Sequence, residues 1–134
     1  MKRVIICGSR DWSDDRLVKE TICAYVSGFG DVTIVHGDCP TGADASARRW
    51  AVNRGALEER HPADWDKHGK AAGPIRNQEM VDAGAFKCLA FWDGKSRGTL
   101  DMLERASRAG IATSYTVGNG WAVYIPDMTR KLRG

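Results

Sequence analysis

A chain of 134 residues with 43% apolar and 28% charged side chains suits one domain with an ordinary core. Its 20 Lys and Arg against 17 Asp and Glu leave a net charge of +3, too mild to coat nucleic acid on charge alone. No stretch reaches the roughly 18 apolar residues of a membrane span, and the start, Met1-Lys2-Arg3-Val4-Ile5-Ile6, is too short in apolar residues for a secretion signal, so a cytoplasmic protein with no membrane partner is expected.

Residues 3–8 (RVIICG) form a short continuous apolar run, the mark of a buried parallel strand. Ser13 or Asp14 can cap a helix whose apolar face is Val18, Ile22 and Tyr25/Val26, ended by Gly28 and Gly30. Residues 32–36 (VTIVH) are a second, β-branched strand. Residues 41–54 read as a second helix, with Ala43, Ala47 and Trp50/Ala51 on one face, and 56–62 as a weaker third strand. Residues 63–73 read as a polar loop holding Asp64, Trp65, Asp66, Lys67 and His68. A third helix starts near Pro74, a residue suited to a first turn, and runs to about Ala83. A fourth strand over 87–92, a fourth helix over 99–109 and a fifth strand over 112–117 follow. Gly118-Asn119-Gly120 then predicts a hairpin turn that sends 121–125 back antiparallel.

This alternation predicts an α/β fold: a three-layer sandwich with a mostly parallel sheet of about five strands, helices on both faces, and a C-terminal antiparallel strand. One domain is expected over 1–128, with a basic tail over 129–134. Ligands of such sheets bind beyond the carboxyl ends of the strands.

Three glycine-bearing loops leave strand ends there: Gly8-Ser9-Arg10, Gly37-Asp38-Cys39-Pro40-Thr41-Gly42, and Gly94-Lys95-Ser96-Arg97-Gly98-Thr99. Free N–H groups and the positive end of each helix dipole make such turns anion sites. In the last loop Ser96 and Thr99 can donate hydroxyl hydrogen bonds, while Lys95 and Arg97 neutralise charge. Neither a GxxxxGK[ST] phosphate loop nor a GxGxxG fingerprint is present. Arg10 and Arg76 fall near the same edge as phosphate-ligand candidates. Asp38, Asp44 and Asp64 can accept from ribose hydroxyls, capping being the plainer role of Asp38 and Asp44. Trp65 is the better base-stacking candidate and Trp92 the better sheet-packing residue. His36, ending a strand, reads as structural. The cysteines at 7, 23, 39 and 88 show no CxxC spacing, so reduced thiols are expected, with neither a metal nor a cofactor.

Four segments, CGSRDWSDDRLV, VHGDCPTGADASARRWA, HPADWDKHGKAAGPIRNQEM and AFWDGKSRGTLDMLERA, together resemble the YspA-related family of the SLOG superfamily. That superfamily also holds the DprA/Smf DNA-processing proteins and the LOG phosphoribohydrolases. The resemblance runs from about Lys2 to Tyr115. It implies a Rossmann-like fold, a phage or bacterial source, and a nucleotide or nucleotide-derived ligand. It places that ligand at Gly8, Ser9 and Arg10; at Gly37, Gly42, Ala43 and Asp44; at Arg76 and Asn77; and at Gly94, Ser96, Gly98 and Thr99.

LOG enzymes carry PGGxGTxxE, whose Glu assists N-glycosidic cleavage. Here that position is Met102, which has no acid or base, and Asp101 and Glu104 are expected to point elsewhere around the helix. The expected function is therefore binding of a phosphorylated nucleotide ligand, as a sensor or sequestering module. One alternative is a nucleotide hydrolase with Asp44 or Asp64 as acid or base. Another is DprA-like binding of single-stranded DNA. SLOG relatives are often dimers, so a homodimer is a further expectation.

Overall fold

The computed structural model describes residues 2–126. The basic tail expected over 129–134, and the expected domain end at 128, lie outside them. The elements in chain order are β1 (Lys2–Gly8), α1 (Asp15–Phe29), β2 (Val32–His36), α2 (Gly42–Asn53), β3 (Leu57–Arg60), α3 (Trp65–His68), α4 (Ala72–Asp82), β4 (Lys87–Phe91), α5 (Arg97–Arg108), β5 (Ala112–Thr116) and β6 (Trp121–Val123). A 3-10 turn, Gly69–Ala71, joins α3 to α4.

The strands make one six-stranded sheet in the order β3-β2-β1-β4-β5-β6. All neighbours are parallel except β5 and β6, which pair antiparallel across the glycine turn. This is the Rossmann-like three-layer architecture. β1 sits in the middle, with Ile5 opposite Val35 of β2 and Cys88 of β4. Its Val4, Ile5 and Ile6 are buried on both faces, which is why the run carries no alternation.

Each face of the sheet has its own core. Val4, Ile6, Ile34, Leu89 and Phe91 pack under Val18 and Ile22 of α1 and Ala43, Ala47 and Ala51 of α2. On the other face Ile5, Cys7, Val35, Cys88 and Ala90 pack under Met80 and Val81 of α4 and Met102, Leu103 and Ala106 of α5. The alanine stripe on α2 lets that helix lie close to the strands. Asp14 caps α1 by accepting from Leu17 N at 3.1 Å, and Gly30, at φ 73°, ends it.

Three boundaries depart from the sequence pattern. The expected polar loop over 63–73 contains α3 and the 3-10 turn, because Asp64 caps a short run with no buried face to give it a period. Helix α4 starts at Ala72, so Pro74 lies inside its first turn, where its missing N–H costs nothing. Helix α5 starts at Arg97, not Thr99, which brings Arg97 and Gly98 into its first turn. Among the described residues no helix is long and apolar enough to cross a membrane.

Candidate functional site

The carboxyl ends of β1, β2, β3 and β4 open onto one cleft of about 1140 Å3. It lies where strand order reverses about β1, the position at which open α/β sheets take ligands. Two glycines set its inner wall. A Cβ at Gly8 would run into the Phe91 carbonyl and the Ala43 methyl, so only glycine lets β1, β4 and α2 meet. Gly42, at φ 69°, tucks the start of α2 against the Ser9 carbonyl. Ser9 ties β1 to β4: its N–H donates to Phe91 O at 3.0 Å, and its hydroxyl accepts from Asp93 N at 3.0 Å.

Helices α2 and α5 begin at this cleft, and neither has a side-chain cap on its first turn. The first-turn amides of α5 are therefore available to an anion, whereas at α2 the Ala43 N–H already donates to Ser9 O at 3.4 Å. The loop before α5 is arranged differently from the expected cradle. Asp93 Oδ1 accepts from Lys95 N at 2.8 Å and Ser96 N at 2.7 Å, so the protein's own carboxylate occupies those two amides. Gly94 and Lys95 lie outside the cleft lining, whereas Ser96, Arg97, Gly98 and Thr99 belong to it. The amides left open are those one step along the chain, in the first turn of α5, with the exposed Arg97 beside them. The indole of Trp92 fixes that start by donating to Ser96 O at 3.1 Å, while its ring packs edge-on against Tyr115.

A chain of hydrogen bonds forms the floor. Arg76 donates to Gly37 O at 2.6 Å and to Asn77 Oδ1 at 2.9 Å. Asn77 donates in turn to Gly98 O at 3.3 Å and Asp101 Oδ2 at 3.0 Å, and Arg105 pairs with Asp101 at 2.8 Å. The loop after β2 is thereby tied through α4 to α5. Any side chain at Gly37 would collide with the Arg76 guanidinium. Arg76, expected as a phosphate ligand, lines the cleft and holds this network through Nε and Nη1.

Asp44, in the first turn of α2, is buried with Oδ2 accepting from Cys39 N at 3.2 Å. Burial pushes its carboxyl above the usual aspartate range, against the opposing pull of the Cys39 amide, His36 and Arg76. Asp38 has φ 57°, sparsely used by non-glycine residues; its N–H donates to His36 Nδ1 at 3.0 Å and its carboxylate pairs with Arg48 at 3.2 Å. These bonds hold the left-handed turn.

The other sequence candidates divide. Trp65 lines the cleft with its ring half exposed, and the Arg10 guanidinium lies 5.7 Å from the ring centre. Asp64 does not line the cleft: it caps α3 by accepting from Lys67 N at 3.1 Å. Asp66, Lys67 and His68 are outside the lining too. Asp101, expected to point away, faces the cleft, because Gly98, Asp101 and Met102 share one face of α5. Its Oδ2 is held by Asn77 and Arg105. Met102 is fully buried beneath it. Cys39 of the second glycine loop lines the cleft, as do Asp11 and Asp93, which were not singled out in the sequence.

The first two loops and their helices, residues 2–68, match the family model described as YspA, cpYpsA-related SLOG family. The chain is also 44% identical over 118 residues to the Gene 61 protein of Mycobacterium phage D29, covering 83% of this chain and 93% of that one. The chain belongs to the YspA, cpYpsA-related SLOG family. Membership of that SLOG family points to a nucleotide-related function. The family model covers the walls built by β1, β2 and α3; the Arg76–Asn77 pair and the start of α5 lie beyond it.

Proposed function

We propose that the cleft binds a nucleotide or nucleotide-derived phosphorylated ligand, as a sensor or sequestering module. The observation that carries this reading is the convergence of two helix starts without side-chain caps on one cleft that also presents the exposed Arg10 and Arg97. A phosphate at the first turn of α5 receives backbone N–H bonds, the helix dipole and the Arg97 charge together. The Trp65 face offers stacking to a base, worth about 1–3 kcal/mol. Asp44 and Asp101 offer acceptors for sugar hydroxyls.

One observation favours a second reading, hydrolysis of such a nucleotide. Asp44 is a cleft carboxyl whose burial favours the protonated form, as a proton donor requires. The expected alternative of a single-stranded DNA site is less favoured, since cleft aspartates outnumber cleft arginines.

Mass spectrometry of the small molecule released on denaturing the purified protein tests the binding reading. An intact nucleotide supports a binder. A free base with a sugar phosphate supports the hydrolase. Full retention of nucleotide affinity by Arg97→Ala removes the site assignment.

A further inference from the structure

The two edges of the sheet are built differently. At one edge β3 carries Glu58, Glu59 and Arg60 in four residues, charges that discourage a further strand. At the other, β6 belongs to residues 117–126 (VGNGWAVYIP), which hold no charge. Among the described residues no strand pairs with the outer side of β6. Helix α1 stops short of it too. A groove of about 420 Å3 separates them, with Ala24 and Tyr25 on one wall, Leu89 and Ser114 on the floor and Trp121 on the other wall. Val123 sits opposite Ser114 in the ladder, so the period of two puts Trp121, Val123 and Ile125 on this one face. They are 42%, 71% and 77% exposed, an apolar stripe that nothing in the described fold covers.

The backbone of β6 is equally unfinished. Tyr124 N donates to Thr113 O at 2.9 Å, and Thr116 O is taken by Trp92 N of the β4 side rather than by β6. Inward bonds alternate along an antiparallel strand, so Ala122 and Tyr124 bond to β5, while the N–H and C=O groups of Trp121, Val123 and Ile125 point outward. Pro126 falls on the inward set. Its missing N–H ends the pairing with β5 and leaves the outer side unblocked.

We propose that β6 is the interface for a second copy of this chain, pairing antiparallel with itself about a two-fold axis at Val123, whatever the cleft holds. Val123 then faces the partner's Val123, and Trp121 faces the partner's Ile125. Three outward residues on each copy close about six backbone hydrogen bonds. The two apolar stripes join side by side on one face, and no like charges meet across the seam. The arrangement is isologous, so it closes at two copies and yields one twelve-stranded sheet rather than a fibre. A seam one short strand long is a small interface, below about 1,200 Å2 in total, so the dimer is reversible.

Sedimentation velocity of the full chain from about 1 μM to about 1 mM tests it. The mass rises from 14.7 kDa towards twice that value with concentration. A chain that stays monomeric throughout leaves the edge to another occupant and overturns the proposal. Val123→Lys and Val123→Glu are each monomeric where the wild type is a dimer, because each sets two like charges face to face across the axis. Mixed in equal amounts, they restore a dimer holding one of each. Dimers of either variant alone place the contact elsewhere, and a mixture that stays monomeric refutes the register; both overturn the proposal. Val123→Pro removes an outward N–H and spares the bonds of Ala122 and Tyr124, so it also abolishes the dimer. A proline variant that dimerises like the wild type overturns strand pairing. Thermal melts check that each variant keeps its fold, and the Lys–Glu exchange decides if the proline variant melts early.

Discussion

Two arginines of the cleft separate binding from folding, and their substitution is the most direct trial of the site. Arg97 is exposed at the first turn of α5 and makes no ion pair among the described residues. Its replacement by alanine removes a charged hydrogen bond to phosphate, about 1.5–3 kcal/mol, so Kd rises about 10- to 150-fold. Stability stays within about 0.5 kcal/mol, as for any exposed substitution without partners. Arg76→Ala has the opposite profile. It strips donors from Gly37 O and Asn77 Oδ1 and removes the cation facing Asp44. Each buried acceptor left unsatisfied costs about 1–3 kcal/mol, for a total of about 2–6 kcal/mol. At roughly 3–4 °C per kcal/mol for a chain of this size, Tm falls by about 10 °C. Calorimetric melts and nucleotide titrations of both variants read the two effects apart. An Arg97→Ala protein that binds as tightly as wild type, or an Arg76→Ala protein that melts within about 2 °C of it, refutes the reasoning.

Other substitutions follow from the same geometry. Gly42→Ala places a methyl against the Ser9 carbonyl at φ 69°; it lowers the unfolding free energy in urea by about 1–3 kcal/mol and loosens ligand binding. Met102→Glu restores the LOG acid in sequence but buries a carboxylate in the apolar core beneath the cleft floor; thermal melts show a loss of several kcal/mol, and no glycosidic cleavage is gained. Asp44 holds its proton more tightly folded than unfolded, so its share of stability is present in acid and lost as pH rises from the ordinary aspartate range through its raised value. Asp44→Asn removes that loss, and urea melts between about pH 4 and 8 show its advantage over wild type growing with pH. Glu59 works the other way: its bond from Arg3 holds its carboxyl down, so the stability it adds is present above the ordinary glutamate range and lost as pH falls below it.

The fold was legible because its signals are local. The uninterrupted apolar runs of β1 and β2, the alanine stripe of α2 and the glycine turn before β6 each report burial through neighbours in sequence. Helix α3 was not legible, since four exposed residues carry no period and only the Asp64 cap announces them. Two features of the site had readable signals. Asp93 two residues before Lys95 is the spacing of a side-chain-closed turn, and Asp101 three residues after Gly98 shares its helix face. The commitment of Arg76 to Gly37 had none. The two lie 39 positions apart, and α4 crosses to the face of the sheet opposite α2 before the arginine reaches back.

The central place of β1 also governs when the cleft comes into being. Val4–Gly8 pair with Lys87–Phe91, partners 83 residues apart, and α5 follows only after that pairing. A growing polypeptide that has not passed the first turns of α5 possesses neither the second helix start nor the bonds that Asn77 sends to it. Contacts of such long separation slow folding. The cleft is therefore among the last features to form during synthesis, and the proposed ligand would act on the finished fold rather than guide its assembly.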